Sequence, residues 1–172
     1  RPQAVRTLLA AFDSTDAAGN AVSDVIAAGI IPAAIEMMDR TTIRAAEAAV
    51  QPGFPDAEAV LIVELDGPQS EVETLFRQIE AVCAHNQAWG VQVAQDEAQR
   101  ARIWMGRKAA FAAMGRVSPN YYVQDGVIPR STLPEVLRRI RALEQRSGLT
   151  IGNVFHAGDG NLHPLVCYDA AV

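Results

Sequence analysis

The sequence lacks the features that mark membrane-spanning, disulfide-stabilised secreted or nucleic-acid-binding proteins. It has only two cysteines, 6% aromatic residues and a net charge of −5 in 172 residues. No apolar run reaches the roughly 20 residues that span a bilayer, and the first residues lack a signal-peptide pattern. Charged residues form no long block of one sign, and Lys108 is the single lysine. Because phosphate binding needs clustered lysine and arginine, we expect neither a nucleic-acid surface nor a polybasic membrane patch.

What the sequence does contain is enough apolar material for one core. Hydrophobic residues make up 49% of the chain, and 172 residues are the size of one ordinary domain. Cys83 and Cys167 lie far apart in apolar stretches, so we expect two buried, reduced thiols in a reducing compartment. The chain starts at Arg1 without a methionine, which favours a piece of a longer protein.

Strand and helix patterns alternate along the whole chain. Apolar alternation predicts strands over 5–12, 30–38, 59–66, 91–94, 121–128, 150–155 and 162–168. Helices are predicted between them, with Ser14 and Asp96 as N-caps, a capping box of Thr132 with Glu135, and Gly148 as a C-terminal stop. Helices of this length can connect parallel strands, but the predicted edge strands and hairpins are also compatible with an antiparallel or mixed sheet. We predict a single α+β domain over 1–172, with repeated ferredoxin-like units, an antiparallel or mixed sheet and helices packed over it.

The strongest functional signal is the segment 156–164, which reads HAGDGNLHP. Its two glycines let the chain fold back and bring His156 and His163 to one side. Two neutral imidazoles facing one space can hold Zn²⁺ or Mn²⁺, or take a proton from a substrate hydroxyl. The same residues are also compatible with an ordinary hairpin turn and two half-buried histidines.

A second signal lies on a predicted helix. Arg107 and Lys108 follow Trp104 by one turn, and a guanidinium there can bind a carboxylate with two parallel hydrogen bonds. Arg130, after a predicted strand, can offer a further cation to an acidic substrate. A solvated charge pair beside a core tryptophan explains the same residues.

These motifs resemble one protein family. HAGDGNLHP resembles the signature of the C-terminal substrate (cap) domain of FAD-linked oxidases of the vanillyl-alcohol-oxidase type. Trp104, Arg107 and Lys108 resemble the W-x-x-R-[KE] helix of that family, and 121–130 is similar to a strand of the flavin subunit of bacterial glycolate oxidase. The resemblance covers essentially the whole chain, and the family also includes D-lactate and D-2-hydroxyglutarate dehydrogenases.

The resemblance implies an FAD-dependent oxidation of a 2-hydroxy acid. It implies that the substrate carboxylate binds Arg107, with Lys108 and Arg130 nearby, and that His156 and His163 act in catalysis and hold a divalent metal. Asn161 and Gly160 are implied to contact FAD. A glutamate ligand and a neighbouring histidine base are expected beyond Val172, and the flavin is expected to be bound mainly by a domain absent here, so this chain alone is expected to be inactive.

The resemblance also bears on substrate and assembly. Hydroxyglutarate-specific relatives place a lysine where this chain has Tyr122 and Val123, which favours glycolate or D-lactate. It implies an iron–sulfur partner subunit, a homodimer, and a cytoplasmic location peripheral to the inner membrane face.

Two other classes of function remain open on the residues alone. A stand-alone ferredoxin-like module with a regulatory or small-molecule-binding role explains the strand–helix alternation. A metal-dependent hydrolase explains the histidine pair, but only Asp159 lies close enough in sequence to add a carboxylate, and it is expected to bond the turn backbone.

Overall fold

The structure is a computed structural model that describes residues 3–171, and in that range it has five helices and nine strands. The strands are β1 (Ala4–Phe12), β2 (Ala34–Asp39), β3 (Ala59–Gly67), β4 (Gly90–Val93), β5 (Asn120–Val123), β6 (Gly126–Val127), β7 (Ile151–His156), β8 (Asn161–Leu162) and β9 (Pro164–Tyr168). The helices are α1 (Thr15–Ala27), α2 (Arg40–Val50), α3 (Gln69–His85), α4 (Glu97–Ala113) and α5 (Leu133–Ser147).

The nine strands form one antiparallel sheet. Its main path runs β4-β1-β3-β2-β7-β8-β6, while β9 pairs with both β7 and β5. Each strand pair among the described residues is antiparallel. The spatial order 4-1-3-2 of the first four strands is that of a ferredoxin-like unit, with α2 added between β2 and β3. The prediction of an α+β fold is confirmed, and the antiparallel alternative is the one the chain adopts.

The sheet separates two apolar cores because successive side chains of a strand point to opposite faces. In β1, Leu8 and Ala10 face the core formed with α1, α3 and α5. Leu9 and Ala11 face the second core, which includes residues of α2 and α4. Helices therefore cover both faces of the central strands.

Side-chain capping explains where several helices begin. The Ser14 side chain accepts a hydrogen bond from the Ala17 amide at 3.0 Å, and the Asp96 carboxylate accepts one from the Gln99 amide at 2.8 Å. Both predicted caps are confirmed. Each satisfies an amide that the first turn of a helix leaves without an intrahelical acceptor.

Four local predictions are wrong, and the first is the single strand over 162–168, which is divided at His163 between β8 and β9. The capping box of Thr132 does not form: its backbone is already helical, and its hydroxyl donates to the Pro129 carbonyl at 2.7 Å. The strand predicted over 121–128 is two short strands, β5 and β6, which pair with different partners. The strand predicted over 30–38 begins only at Ala34.

Cys83 and Cys167 are buried free thiols, as predicted. Within residues 3–171, no helix combines the length and apolar character that crossing a bilayer requires.

Candidate active site

The two histidines of segment 156–164 lie at the end of a tight antiparallel turn. His156 closes β7, a short 3₁₀ turn (Ala157–Asp159) follows, and β8 returns so that Asn161 pairs with His156. This return brings the ring centroids of His156 and His163 to 5.7 Å, with the ring planes at 84°. The predicted proximity of the two imidazoles is confirmed.

Gly160 allows this turn to pack against β6. Its φ is +69°, a conformation that L side chains rarely adopt. A Cβ there would overlap the carbonyl oxygen of Ile128, whose amide donates to the Gly160 carbonyl at 2.9 Å. The need for glycine at this position therefore comes from a backbone contact within the domain.

Arg130 holds the same turn from the side. Its Nη1 donates to the Gly158 carbonyl at 2.9 Å, and its own carbonyl accepts a hydrogen bond from the Ser23 hydroxyl at 3.2 Å. The guanidinium predicted to bind substrate is thus in contact with the histidine turn, where it also supports the local backbone.

A buried glutamate connects the turn to the rest of the domain. Glu36 lies in β2 and is 4% exposed. Its Oε1 is 2.6 Å from Nδ1 of His156, because β2 and β7 are neighbours and Glu36 stands opposite His156 in the register. Its Oε2 accepts a hydrogen bond from Nε of Arg107 at 2.8 Å. One carboxylate therefore contacts both predicted functional groups.

Arg107 lies on α4 and is 7% exposed. Besides Nε, its Nη2 is 2.8 Å from Oε2 of Glu36, and the guanidinium carbon is 5.7 Å from the ring centroid of Phe111. A guanidinium carries five N–H donors, so these contacts leave donors for a second acceptor. The ion pair with Glu36 therefore fixes the guanidinium of Arg107 without using all of its donors.

His163 lies between an aromatic ring and an acidic side chain. Its ring centroid is 5.9 Å from that of Phe111, and its Nδ1 is 3.4 Å from Oδ1 of Asp125. Burial lowers the pKa of His163 below its usual value, and nearby His156 and Arg107 act in the same direction while Asp125 opposes them. A neutral imidazole, able to accept a proton or bind a metal, is the form that this setting favours.

These contacts define one group of side chains, which we call the polar cluster. Its members are Glu36, Arg107, His156 and His163.

Helix α4 is attached to the sheet at a second point, through Arg100. Glu64 of β3 accepts hydrogen bonds from Nε and Nη2 of Arg100, both at 2.8 Å. The same carboxylate accepts from the Trp104 indole at 2.7 Å and the Thr7 hydroxyl at 2.7 Å. Trp104, singled out in the sequence for its spacing from Arg107, thus fixes the helix that carries Arg107.

Lys108 and Asn161 stand apart from these contacts. Lys108 is exposed on α4 and makes no hydrogen bond or ion pair with any residue in 3–171. Asn161 is half-buried, and its side-chain oxygen is a buried acceptor with no donor among the described residues. The structure brings Arg107, Arg130 and the two histidines into one region and leaves Lys108 on the surface.

Sequence reasoning missed Glu36, Phe111 and Asp125. Glu36 had a detectable signal, since it is the one charged side chain within the apolar stretch 30–38. A charge in a strand that otherwise reads as buried indicates a paired or functional group.

Comparison with known proteins places this geometry in a family. A family model described as FAD linked oxidases, C-terminal domain, matches residues 1–172. The chain belongs to this family. The resemblance drawn from HAGDGNLHP and the Trp104 helix is thereby confirmed.

Several curated relatives of this FAD-linked oxidase domain are named for oxidation of a hydroxy acid. Glycolate oxidase subunit GlcD of Escherichia coli K12 is 53% identical over 99% of this chain and 34% of its own length. GlcD of Bacillus subtilis 168 is 38% identical over 98% of the chain and 36% of its own length. A probable mitochondrial D-lactate dehydrogenase of Danio rerio is 26% identical over 98% of the chain. The chain spans about a third of the length of these relatives.

Solved structures of distant sequence share the fold. Substrate-bound p-cresol methylhydroxylase aligns with a TM-score of 0.66 at 11% identity, over 100% of this chain and 40% of its own. A 4-ethylphenol oxidase from Gulosibacter chungangensis aligns with a TM-score of 0.64 at 16% identity, over 99% and 40%. The α+β architecture is therefore shared with these two proteins.

The fit of a metal to this family member can be judged from the histidines. Each Nδ1 faces a carboxylate, that of His156 at 2.6 Å from Glu36 and that of His163 at 3.4 Å from Asp125. This arrangement leaves both Nε2 atoms for a metal. No group of three or more potential ligands occurs among residues 3–171, so the described residues offer a metal at most these two imidazoles.

The fit of FAD rests on Asn161. Its buried side-chain oxygen without a donor is a suitable acceptor for a group outside these residues. Gly160, by contrast, has its glycine requirement explained by the Ile128 carbonyl.

Proposed function

We propose that this chain is the substrate domain of an FAD-dependent 2-hydroxy-acid oxidoreductase that oxidises glycolate or D-lactate to the 2-oxo acid. The observation that supports this most directly is the polar cluster, in which one carboxylate contacts a buried guanidinium and one imidazole, and the second imidazole lies beside the first. Relatives named glycolate oxidase and D-lactate dehydrogenase support the same substrate class. The flavin-binding domain and a C-terminal segment would belong to other parts of the full-length protein.

Arg107 is proposed to bind the substrate carboxylate. The ion pair with Glu36 fixes its side chain before substrate arrives, so little conformational entropy is lost on binding. The ring of Phe111 beside it excludes water and strengthens the charge interaction. Lys108 and Arg130 are proposed as additional cations on the approach to this site.

The histidines are proposed to handle the hydroxyl proton. Oxidation removes that proton and a hydride from the carbon, which leaves the C=O of the 2-oxo acid. Without a metal on Nε2, His163, whose neutral form burial favours, would accept the proton through that nitrogen; with a metal bound there, the proton would have to pass to another group. Bound FAD supplies the hydride acceptor, and Asn161, with Gly160 beside it, is proposed to contact that cofactor.

His156 and His163 are proposed to hold a divalent metal, Zn²⁺ or Mn²⁺, through Nε2. Such an ion would lower the pKa of a bound substrate hydroxyl. The remaining ligands would come from outside residues 3–171.

Substrate length and assembly extend the proposal. By resemblance, hydroxyglutarate-specific relatives place a lysine where this chain has Tyr122 and Val123, which supports a short substrate. The E. coli and B. subtilis relatives are named as subunits, which supports an assembly with further chains. We propose an iron–sulfur partner, a homodimer and a cytoplasmic position at the inner membrane face.

Anaerobic titration of the full-length flavoprotein tests the function. We expect glycolate or D-lactate to bleach the flavin band, chelation to abolish the bleaching, and added Zn²⁺ or Mn²⁺ to restore it. D-2-hydroxyglutarate should act weakly. Failure of all three acids to bleach the flavin would refute the proposed reaction.

Variants then test the roles of the residues. Arg107→Ala should raise KM and lower kcat, because its ion pair both binds and orients the carboxylate. His163→Ala should abolish flavin reduction in a folded protein. Arg102→Ala is the matched control, since Arg102 is an exposed arginine on the same helix. Unchanged kinetics of Arg107→Ala would remove that residue from the site.

A further inference from the structure

A carboxylate at the centre of the polar cluster has a chemical role beyond packing. Glu36 is almost fully buried, and a buried ion pair is a costly way to join a helix to a sheet, because apolar residues of similar volume are often as stable. One of its oxygens is in contact with His156, whose side chain is 49% exposed. That contact connects a buried charge to a side chain accessible to ligands.

The geometry fixes which nitrogen of His156 carries hydrogen. The guanidinium of Arg107 stays charged, and the carboxylate that faces it at 2.8 Å acts as a hydrogen-bond acceptor. With this carboxylate as the acceptor, the 2.6 Å contact pairs it with an Nδ1 of His156 that carries hydrogen. The lone pair is then on Nε2, the atom left for a metal.

The neighbouring strand provides a comparison within the same molecule. Glu64 of β3 is also buried and also pairs with an arginine of α4. Its other contacts, the Trp104 indole and the Thr7 hydroxyl, are structural groups. Of these two carboxylates, Glu36 is the one that contacts a predicted metal ligand.

We propose that Glu36 is a positioning residue that fixes the Nδ1–H tautomer of His156, so that Nε2 binds the metal, and that holds Arg107 for the substrate carboxylate. This inference rests on the proposed function. If Glu36 has this role, both metal binding by His156 and carboxylate binding by Arg107 depend on it, and loss of Glu36 weakens both.

The test compares metal-free full-length proteins by competition for Zn²⁺ with a chromophoric chelator. Glu36→Gln should weaken Zn²⁺ binding by roughly 10- to 100-fold, the usual effect of losing a carboxylate that orients a metal-bound histidine. Glu36→Asp keeps the acceptor and should recover part of that affinity. With Zn²⁺ at saturating concentration, Glu36→Gln should still show a raised KM for the hydroxy acid.

Glu64→Gln is the matched control. It removes another buried carboxylate from the same helix–sheet interface, so it should lower stability and leave Zn²⁺ affinity within about twofold. An equal loss of Zn²⁺ affinity in both variants would show a general structural effect and overturn the proposal. If Glu36→Gln does not fold, Arg107→Met is compared with Arg107→Met/Glu36→Gln, and only the double variant should lose Zn²⁺ affinity.

The outcomes separate this proposal from the function itself. Substrate bleaching of the flavin with unchanged Zn²⁺ affinity in Glu36→Gln would overturn the role of Glu36 and leave the oxidoreductase function standing. If Glu36→Gln loses Zn²⁺ affinity but no hydroxy acid reduces the wild-type flavin, the oxidoreductase function is overturned and the role of Glu36 toward the metal stands. A wild-type protein that binds no Zn²⁺ would overturn the role of Glu36 outright.

Discussion

Replacement of Gly160 by alanine tests whether the histidine turn depends on its contact with β6. Gly160 has a φ of +69°, and a Cβ at this position would overlap the carbonyl oxygen of Ile128. The left-handed backbone alone costs about 1–2 kcal/mol for an alanine. Relief of the overlap requires the two chains to separate, which breaks the 2.9 Å hydrogen bond between them and costs about 1 kcal/mol more. We expect a total loss of about 2–3 kcal/mol in the free energy of unfolding.

Two other glycines separate backbone strain from the overlap. Gly29 and Gly148 have φ values of +74° and +72°, and a Cβ at either position would meet nothing within 4 Å. Gly29→Ala and Gly148→Ala should therefore cost only the conformational part, about 1–2 kcal/mol.

The assay is urea denaturation of the 172-residue chain and its three variants, followed by circular dichroism. If Gly160→Ala costs no more than Gly148→Ala, the contact with Ile128 does not constrain the turn. The explanation given for glycine in this motif would then be wrong.

Three further predictions concern buried groups. Burial raises the pKa of Asp39 from 3.8 to about 6, so the folded chain holds this proton more tightly than the unfolded chain. The free energy of unfolding relative to Asp39→Asn should therefore fall by about 3 kcal/mol as the pH rises through that range. Parallel pH profiles of the two proteins in urea denaturation would contradict this. Burial raises the pKa of Cys83 to about 12, so a thiol reagent at pH 8 should label it only after unfolding; rapid labelling of the native chain would show that it is accessible. Trp104→Phe removes the 2.7 Å indole hydrogen bond to the Glu64 carboxylate and should cost about 2 kcal/mol by urea denaturation; a cost near zero would show that Arg100 alone fixes the helix.

The fold was largely predictable because its signals are local. Alternating apolar residues mark β1 and β3, and Ser14 and Asp96 cap the helices that follow them. Thr132 failed as a cap because the turn before α5 had already placed its backbone in the helical region, so its hydroxyl reached back to a carbonyl. A capping motif in sequence cannot show the backbone angle on which it depends.

The site was predictable only in part, for a related reason. The histidines lie within one short turn, so their proximity follows from the residues between them. Glu36 is 120 residues from His156 and 71 from Arg107 along the chain, and only the pairing of β2 with β7 and the packing of α4 bring them together. Neither contact leaves a pattern in the sequence beyond a lone charge in an apolar strand.

The two ion pairs that join α4 to the sheet limit how this helix can change. Arg100 and Arg107 are seven residues apart, about two turns, and face Glu64 and Glu36 on adjacent strands. An insertion of one residue between them would rotate one arginine by about 100° and leave a buried carboxylate without its partner. Substitutions at outward positions such as Met105, which is 40% exposed, disturb neither pair. Across related sequences, α4 should therefore vary freely in its outer residues while the number of residues between its two arginines stays constant.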